Sequence, residues 1–418
     1  MFMLATEYTA AHMATRLLAV ISGLMLVRLL PVNEYGFYTL VLAAFSFICT
    51  FSDLGSTETL SFFRWRAGKK NKPWVQYFHA VLRFRRTVFV FGLVASTVYI
   101  FYTGRHIGWD AQTILAGIVL MGVAAWFTIQ SGIISYVLKL EQRFRQAYAV
   151  EISNEGIKLL AVSLIWVWGI ATAIAGMMSI AIGALIAAMF ANHLLGKRFI
   201  EFEKPNQREI YKRQRVLLDQ IYPILPGITH FAMQGLFTTW LAAYYGSVGN
   251  VAAIGALGRI GALIGVIAGF TGSVFIPRLI AISDETIFMK RYLQWWCVMF
   301  VIGGIIMLGV SSYPDALLNL LGDSYAGLHM ELTVVAATAV VWGWNGYVYS
   351  VNRARGWVKR QEYILVVLVI GQIGMFTYMD FSNTLNVLFF GMVTSLLWVL
   401  YQLVLNVAGF MKLDRHDN

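Results

Sequence analysis

Residues 28–64, RLLPVNEYGFYTLVLAAFSFICTFSDLGSTETLSFFR, decide the fold. Pro31, Val32, Asn33 and Glu34 form a short polar turn. About 27 mostly apolar residues follow, enough to cross a hydrocarbon core of about 30 Å with some tilt. The pattern predicts a membrane span over 36–62. Asp53 falls inside it, where a carboxylate costs about 2.5 kcal/mol or more on insertion scales, so it requires a partner or a water-filled cavity.

Outward from this stretch the composition agrees. The chain is 59% hydrophobic and 13% charged with a mean hydropathy of +0.67, whereas a soluble protein is about half apolar and a quarter charged. This is a polytopic membrane protein. Twelve helices with short loops use up the 418 residues, so no sizeable soluble domain is expected. The two cysteines, Cys49 and Cys297, lie in separate apolar spans and read as small core hydrophobes rather than a disulfide. The first apolar run, from Tyr8 to Leu30, lacks a small-residue cleavage pattern and is expected to remain as a span.

The net charge of +11 is a matter of topology. Of the 32 Lys and Arg residues, 27 cluster at Arg64–Lys72, Arg83–Arg86, Lys139–Arg145, Lys197–Arg215, Arg278–Arg291, Arg353–Arg360 and the C-terminal tail. These clusters recur at every second turn of the chain, which by the positive-inside rule makes them and both termini cytoplasmic. The alternate loops carry Asp110, Asp315, Asp323 and Asp380, with Arg105 as the basic exception. No nucleic-acid partner is implied.

The expected spans are 8–30, 36–62, 80–103, 112–138, 148–168, 171–194, 217–245, 250–277, 292–313, 328–351, 360–379 and 384–410. The polar stretch 196–215 separates an N-lobe, 1–195, from a C-lobe, 216–418. Each half starts inside and holds six spans, so the halves are expected to be parallel repeats about an axis along the membrane normal. The fold class is all-α, with twelve transmembrane helices in two six-helix lobes related by a pseudo-twofold axis around a central cavity. Arg64 and Arg278 end the second helix of each half, and the same offset pairs Arg16 with His230. Pro223 and Pro226 are expected to kink or loosen the start of the seventh helix. The glycines from Gly255 to Gly272 read either as static close packing or as a helix that re-packs during transport.

Two pieces carry a family resemblance. Arg28-Leu29-Leu30-Pro31, Glu34-Tyr35-Gly36 with Tyr38, and Asp53-Leu54-Gly55 with Arg64 resemble the first hairpin of bacterial polysaccharide flippases of the Wzx type. Asn250 through Arg278, closing with Pro277-Arg278, is similar to the eighth helix of that family. Those flippases belong to the multidrug/oligosaccharidyl-lipid/polysaccharide exporter superfamily. The chain departs from the pattern at Leu30, where glycine is usual, and at Ala252 and Ala253, where a tyrosine is often found.

Intramembrane charges supply the candidate site. Counted from the cytoplasmic ends of their helices, Arg16, Asp53, Lys158 and His230 fall roughly 13 to 20 Å deep, in one layer. Arg259 and Arg28 lie nearer the periplasm. Each has a plain structural alternative. Arg28 can snorkel to the headgroups, Arg16 can bridge statically to Asp53, and Glu155 and Lys158, three apart on one face, can neutralise each other. His230 is either a hydrogen-bonded core histidine or a proton or substrate contact. Glu331 and His329 read as interfacial, and the tryptophans, among them Trp126, Trp240 and Trp344, mostly as interfacial belts.

A cavity lined by Arg16, Lys158, Arg259 and Arg28 suits an anion such as a lipid pyrophosphate. Asp53, His230 and Glu155 are then candidates for coupling or gating. No GxxxxGK[ST] loop, HExxH, GxSxG or paired-cysteine metal spacing is present, so neither an enzyme nor a cofactor is expected. The coupling ion, H+ or Na+, stays open.

The resemblance implies a flippase moving polyprenyl-pyrophosphate-linked oligosaccharide, of the undecaprenyl type, across a bacterial inner membrane by alternating access. Membrane lipids and a polysaccharide polymerase or ligase would be its partners. A drug exporter of the same superfamily, a lipid II flippase with its fourteen-helix layout, and a non-transporting scaffold remain as alternatives.

Overall fold

Long apolar runs bounded by glycine, proline and aspartate leave the backbone one way to satisfy its hydrogen bonds in lipid, which is to coil. The computed structural model describes residues 2–57, 59–60, 63, 72–195, 207–280, 282, 284–358 and 361–413, and among these no strand occurs. The chain forms two compact units, Met1–Val251 and Ala252–Asn418.

The first unit contains α1 (Phe2–Leu29), α2 (Val32–Asp53), α3 (Lys72–His106), α4 (Ala111–Leu140), α5 (Phe144–Val167), α6 (Ala173–Leu195), α7 (Gln207–Ile221) and α8 (Leu225–Tyr245). Helix α9 (Val248–Ile280) starts at its end and continues into the second unit, which holds α10 (Glu285–Ser312), α11 (Pro314–Leu318), α12 (His329–Ala354), α13 (Ile364–Tyr378) and α14 (Thr384–Leu413).

Helices overlie all twelve expected spans. Eight of them are long and apolar enough to cross a membrane, so the chain is a multi-pass membrane protein. The four others are α5, α8, α12 and α13. Helix α13 has 15 residues and spans about 22 Å. Two helices were not expected as separate elements, the amphipathic α7 and the five-residue α11.

Two expected spans are broken. The span 36–62 stops at Asp53, because Leu54 (φ 41°) and Gly55 (φ 75°) both turn left-handed. For Leu54 that region is sterically costly. Glycine enters it freely, and a Cβ at Gly55 would meet Ile224 Cδ1 at 2.9 Å. The span 217–245 is divided by a 3-10 turn over Tyr222–Ile224, with Pro223 and Pro226 at the starts of that turn and of α8. A proline at a first helical position costs no hydrogen bond, and here the two mark a fresh start.

In the first unit α4 packs on α6, α5 on α6 and α1, and α2 on α3, α8 and α4. Val32, Asn33 and Glu34, expected as part of a polar turn, instead form the first turn of α2 after Pro31, and this turn is the joint of the packing. Glu34 reaches across to accept the N–H of Ala173 at 2.7 Å, capping α6 from another helix. Gly36 lets α2 meet Val248, whose Cγ1 a Cβ would approach to 2.5 Å, and Tyr38 lies against Gly176.

In the second unit α12 packs on α14 and α10, and α14 on α13. Gly261 lies against Val335, while Gly258 and Gly265 have nothing described within 4 Å. Close approach thus explains Gly261 but not Gly258 or Gly265.

Cys49 is half-buried, but Cys297 is exposed on α10 rather than part of a core, because α10 presents one apolar face outward. The sequence features at Arg64 and in 196–206 lie outside the described residues, as do the side chains of Pro277 and Arg278.

Candidate functional site

Two clusters in the first unit bring charged side chains together. The first sits at the break after α2. The carboxylate of Asp53 accepts hydrogen bonds from Ser56 Oγ and the Thr57 N–H, each at 3.2 Å, and from the Thr57 hydroxyl. It therefore ends one helix and caps the turn that follows. Arg85, buried on α3, lies 3.7 Å from the same oxygen and donates to Thr57 Oγ1 at 3.2 Å.

This corrects two expectations. Arg85, not Arg16, is the partner of Asp53. Asp53 also stands at the end of a 22-residue helix, about 33 Å long, and not at the centre of a longer one. The Arg83–Arg86 cluster looks like a topological signal, yet Arg85 shares a face with Val81, Val88 and Phe89, all buried. That 3.6-residue spacing is the mark of an inward cation.

The second cluster follows α5. Glu151, Asn154, Glu155 and Lys158 recur at three- and four-residue spacing and so share one helix face. Glu151 Oε1 accepts from Lys139 Nζ at 2.6 Å and from Ser135 Oγ at 2.8 Å, both on α4. Glu155 pairs with Lys158, and Asn154 Nδ2 donates to Glu155 Oε1 at 3.3 Å. The Glu155 and Lys158 side chains are each 17% exposed. The neutralising pair foreseen for these two residues is therefore present. Gly183 of α6 allows the close fit, since a Cβ there would meet the Asn154 carbonyl at 2.8 Å.

Helix α1 brings His12 and Arg16 to this cluster. The charges of Arg16, Glu151 and Lys139 all act on His12. His12 and Arg16 are four apart, hence on one face of α1, the helix packed on α5. Arg16 is exposed, and among the described residues it has no carboxylate partner. The acidic groups near it are already taken, Glu151 by Lys139 and Glu155 by Lys158. Sequence inspection singled out Arg16, Glu155 and Lys158 but missed His12, Lys139 and Glu151. The helical spacing of Glu151 to Lys158 could have revealed the last of these.

The remaining candidates stand elsewhere. His230 is half-buried five residues into α8, about 8 Å from its start, so it is shallower than a helix beginning at 217 would place it. Arg28 is exposed at the end of α1. Arg259 is half-buried on α9, in the second unit.

In that unit the polar groups between α12 and α14 are neutral. Asn352 Nδ2 donates to the Gln402 carbonyl at 2.8 Å and to its Oε1 at 3.1 Å, and Asn406 Nδ2 donates to Asn352 Oδ1 at 2.8 Å. An aromatic layer surrounds them, with Tyr347 donating to the Tyr292 carbonyl at 3.0 Å. Arg355 closes one end of α12, bonded to Glu285 at 2.8 Å and lying 3.9 Å over the Phe288 ring. Among the described residues no group of three His, Cys, Asp or Glu side chains converges as a metal site.

No family model and no curated protein matches the chain. Solved structures do. An inward-facing multidrug resistance MATE family transporter of the MOP superfamily aligns with a TM-score of 0.67 at 13% identity, covering 95% of this chain and 96% of that one. The lipid II flippase MurJ, in an inward closed conformation, aligns with a TM-score of 0.72 at 13% identity over 97% and 89% of the two chains. A MATE in the bent conformation aligns with a TM-score of 0.61 at 13% identity over 98% and 96%. The chain has the fold shared by these transporters.

Proposed function

We propose that this chain is a flippase of the Wzx type, which turns polyprenyl-pyrophosphate-linked oligosaccharide from the cytoplasmic to the periplasmic leaflet of a bacterial inner membrane. It acts as a transporter and not as an enzyme, through twelve spans with both termini cytoplasmic. In the first unit Arg16 binds the anionic head, Arg28 and Lys158 are its further contacts, and Asp53, Glu155 and His230 serve coupling to H+ or Na+ or gating; Arg259 of the second unit is a separate candidate contact. A polysaccharide polymerase or ligase takes over the product.

The observation that carries this reading is the charge balance around Arg16. Asp53, Glu151 and Glu155 each have a cationic partner, and Arg16 has no carboxylate among the described residues. A guanidinium within a candidate membrane span that no carboxylate neutralises favours an anion and disfavours a cationic drug. The likeness to the lipid II flippase supports a lipid-linked substrate. The likeness to MATE transporters supports the second reading, a drug exporter.

Reconstitution into vesicles with a fluorescent polyprenyl-pyrophosphate oligosaccharide tests both. The purified chain should move the lipid, and Arg16→Gln should slow it about 10- to 100-fold, the loss of one charge-assisted contact, while inserting normally. An unchanged rate in Arg16→Gln removes the anion site. Efflux of a cationic drug without lipid movement establishes the exporter instead.

A further inference from the structure

Helix α7 is amphipathic in a way the transport reading leaves unused. At about 100° per residue, Leu217 and Ile221 turn into the core of the first unit, and Arg213 lies 5.0 Å over the Tyr77 ring of α3. Arg83 donates to Tyr211 Oη at 2.7 Å from the same helix. These contacts hold α7 beside Tyr77 and Arg83 of α3, the latter four residues before the uncharged run 87–104 of that helix. The helix therefore lies at the level where a spanning helix enters the membrane.

Its outward surface has two adjoining sectors. Tyr211, Leu218 and, just beyond the helix end, Tyr222 form an apolar and aromatic flank, and they are 57%, 47% and 77% exposed. Arg215, Arg208 and Lys212 follow around the helix, all exposed, with Asp219 the one exposed acid among the described side chains of the helix. A solvated face would not set large apolar side chains beside the charges. An apolar flank next to a basic face, at membrane level, is the form of a helix lying in the headgroup plane.

We infer that α7 is a binding platform for anionic phospholipid. Arg208, Lys212 and Arg215 take the headgroup phosphates, and Leu218 and Tyr222 enter the acyl boundary beside them. Charge complementarity selects this occupant, since each basic group near an anionic surface favours binding about fivefold. The inference stands whether the cargo is a lipid-linked sugar or a drug.

The test uses the full chain with Cys49→Ala and Cys297→Ala, and a fluorophore attached at Leu218→Cys. The protein is placed in mixed vesicles carrying a nitroxide on the upper acyl chain of either phosphatidylglycerol or phosphatidylcholine. Quenching by the phosphatidylglycerol probe should exceed that by the phosphatidylcholine probe severalfold. The ratio should fall to near one in Arg208→Gln/Lys212→Gln/Arg215→Gln, whose melting temperature should match the parent's. A label at Tyr222→Cys should report the same.

Equal quenching by the two probes in the parent overturns the inference. So does a preference that survives the triple substitution, or a label that neither probe quenches.

Discussion

The two units join their main helix pairs by different polar chemistry, although the second also has the ion pair Arg355–Glu285 between the ends of α12 and α10. Across α4 and α5, and between α2 and α3, the first unit uses the ion pairs Glu151–Lys139 and Asp53–Arg85, with the Glu155–Lys158 pair of α5, Arg16 and His12 near the former. Between α12 and α14 the second unit uses neutral amides, Asn352, Gln402 and Asn406, within an aromatic layer. Charged pairs can be rearranged by an anion or a proton. Amide pairs respond to neither. The contrast places responsive chemistry in the first unit and a fixed joint in the second.

The largest effect on stability should come from Arg85. It is 7% exposed, and its Nε has no hydrogen-bond partner, so Asp53 and Thr57 supply its compensation. Arg85→Leu leaves the Asp53 carboxylate beside an apolar side chain, which should cost about 3 kcal/mol. This is the low end for a buried pair, because Asp53 is 33% exposed. Arg85→Leu/Asp53→Asn should recover most of the loss. Thermal melting of both variants in detergent reads this out, and a single variant as stable as the parent would show that the pair holds nothing.

The same residues show what was legible in the sequence and what was not. Hydropathy located a helix at every expected span, because the cost of an unpaired backbone in lipid leaves few alternatives. It missed the break at Leu54–Gly55, where two residues change direction without a change in apolarity, whereas Pro223 and Pro226 marked the one at Tyr222–Ile224. Asp53 was recognisable as a carboxylate in need of a partner. Its depth and its partner were not, since both depend on where α2 ends and which face of α3 turns inward. Glu34 was conspicuous as part of a motif, but its role as a cap for α6, 139 residues further on, is a tertiary fact. The α5 face was readable by spacing, and only Glu155 and Lys158 were read from it.

A smaller effect should follow at the neutral joint. Asn352→Ala strands Gln402 and Asn406, which are fully buried and 3% exposed. Interhelical hydrogen bonds within membranes average well below 2 kcal/mol, so a cost of about 1 kcal/mol is expected. The contrast between the units sharpens if this loss is the same at pH 5 and pH 8, because no titrating group takes part. A cost that varies across that range would break the contrast by tying the amides to a charge.

The smallest effect concerns the loops, where the two units are alike. Asp110 caps α4, and hydrogen bonds from the Thr113 hydroxyl and N–H hold its carboxyl below the ordinary value of 3.8. Asp380 is held below 3.8 in the same way by the N–H and hydroxyl of Ser382. A carboxyl lowered in the folded state contributes stability that is fully present above its ordinary value and is lost as pH falls through the lowered one. The parent should therefore lose melting temperature below about pH 4. Asparagine caps a helix nearly as well as aspartate, so Asp110→Asn/Asp380→Asn should melt like the parent at pH 7 and decline less steeply in acid. Melting curves from pH 7 to pH 3 decide the matter. If the double variant keeps the full acid slope, the sensitivity resides in the interior carboxylates of the first unit, and the difference between the two units extends to their response to protons.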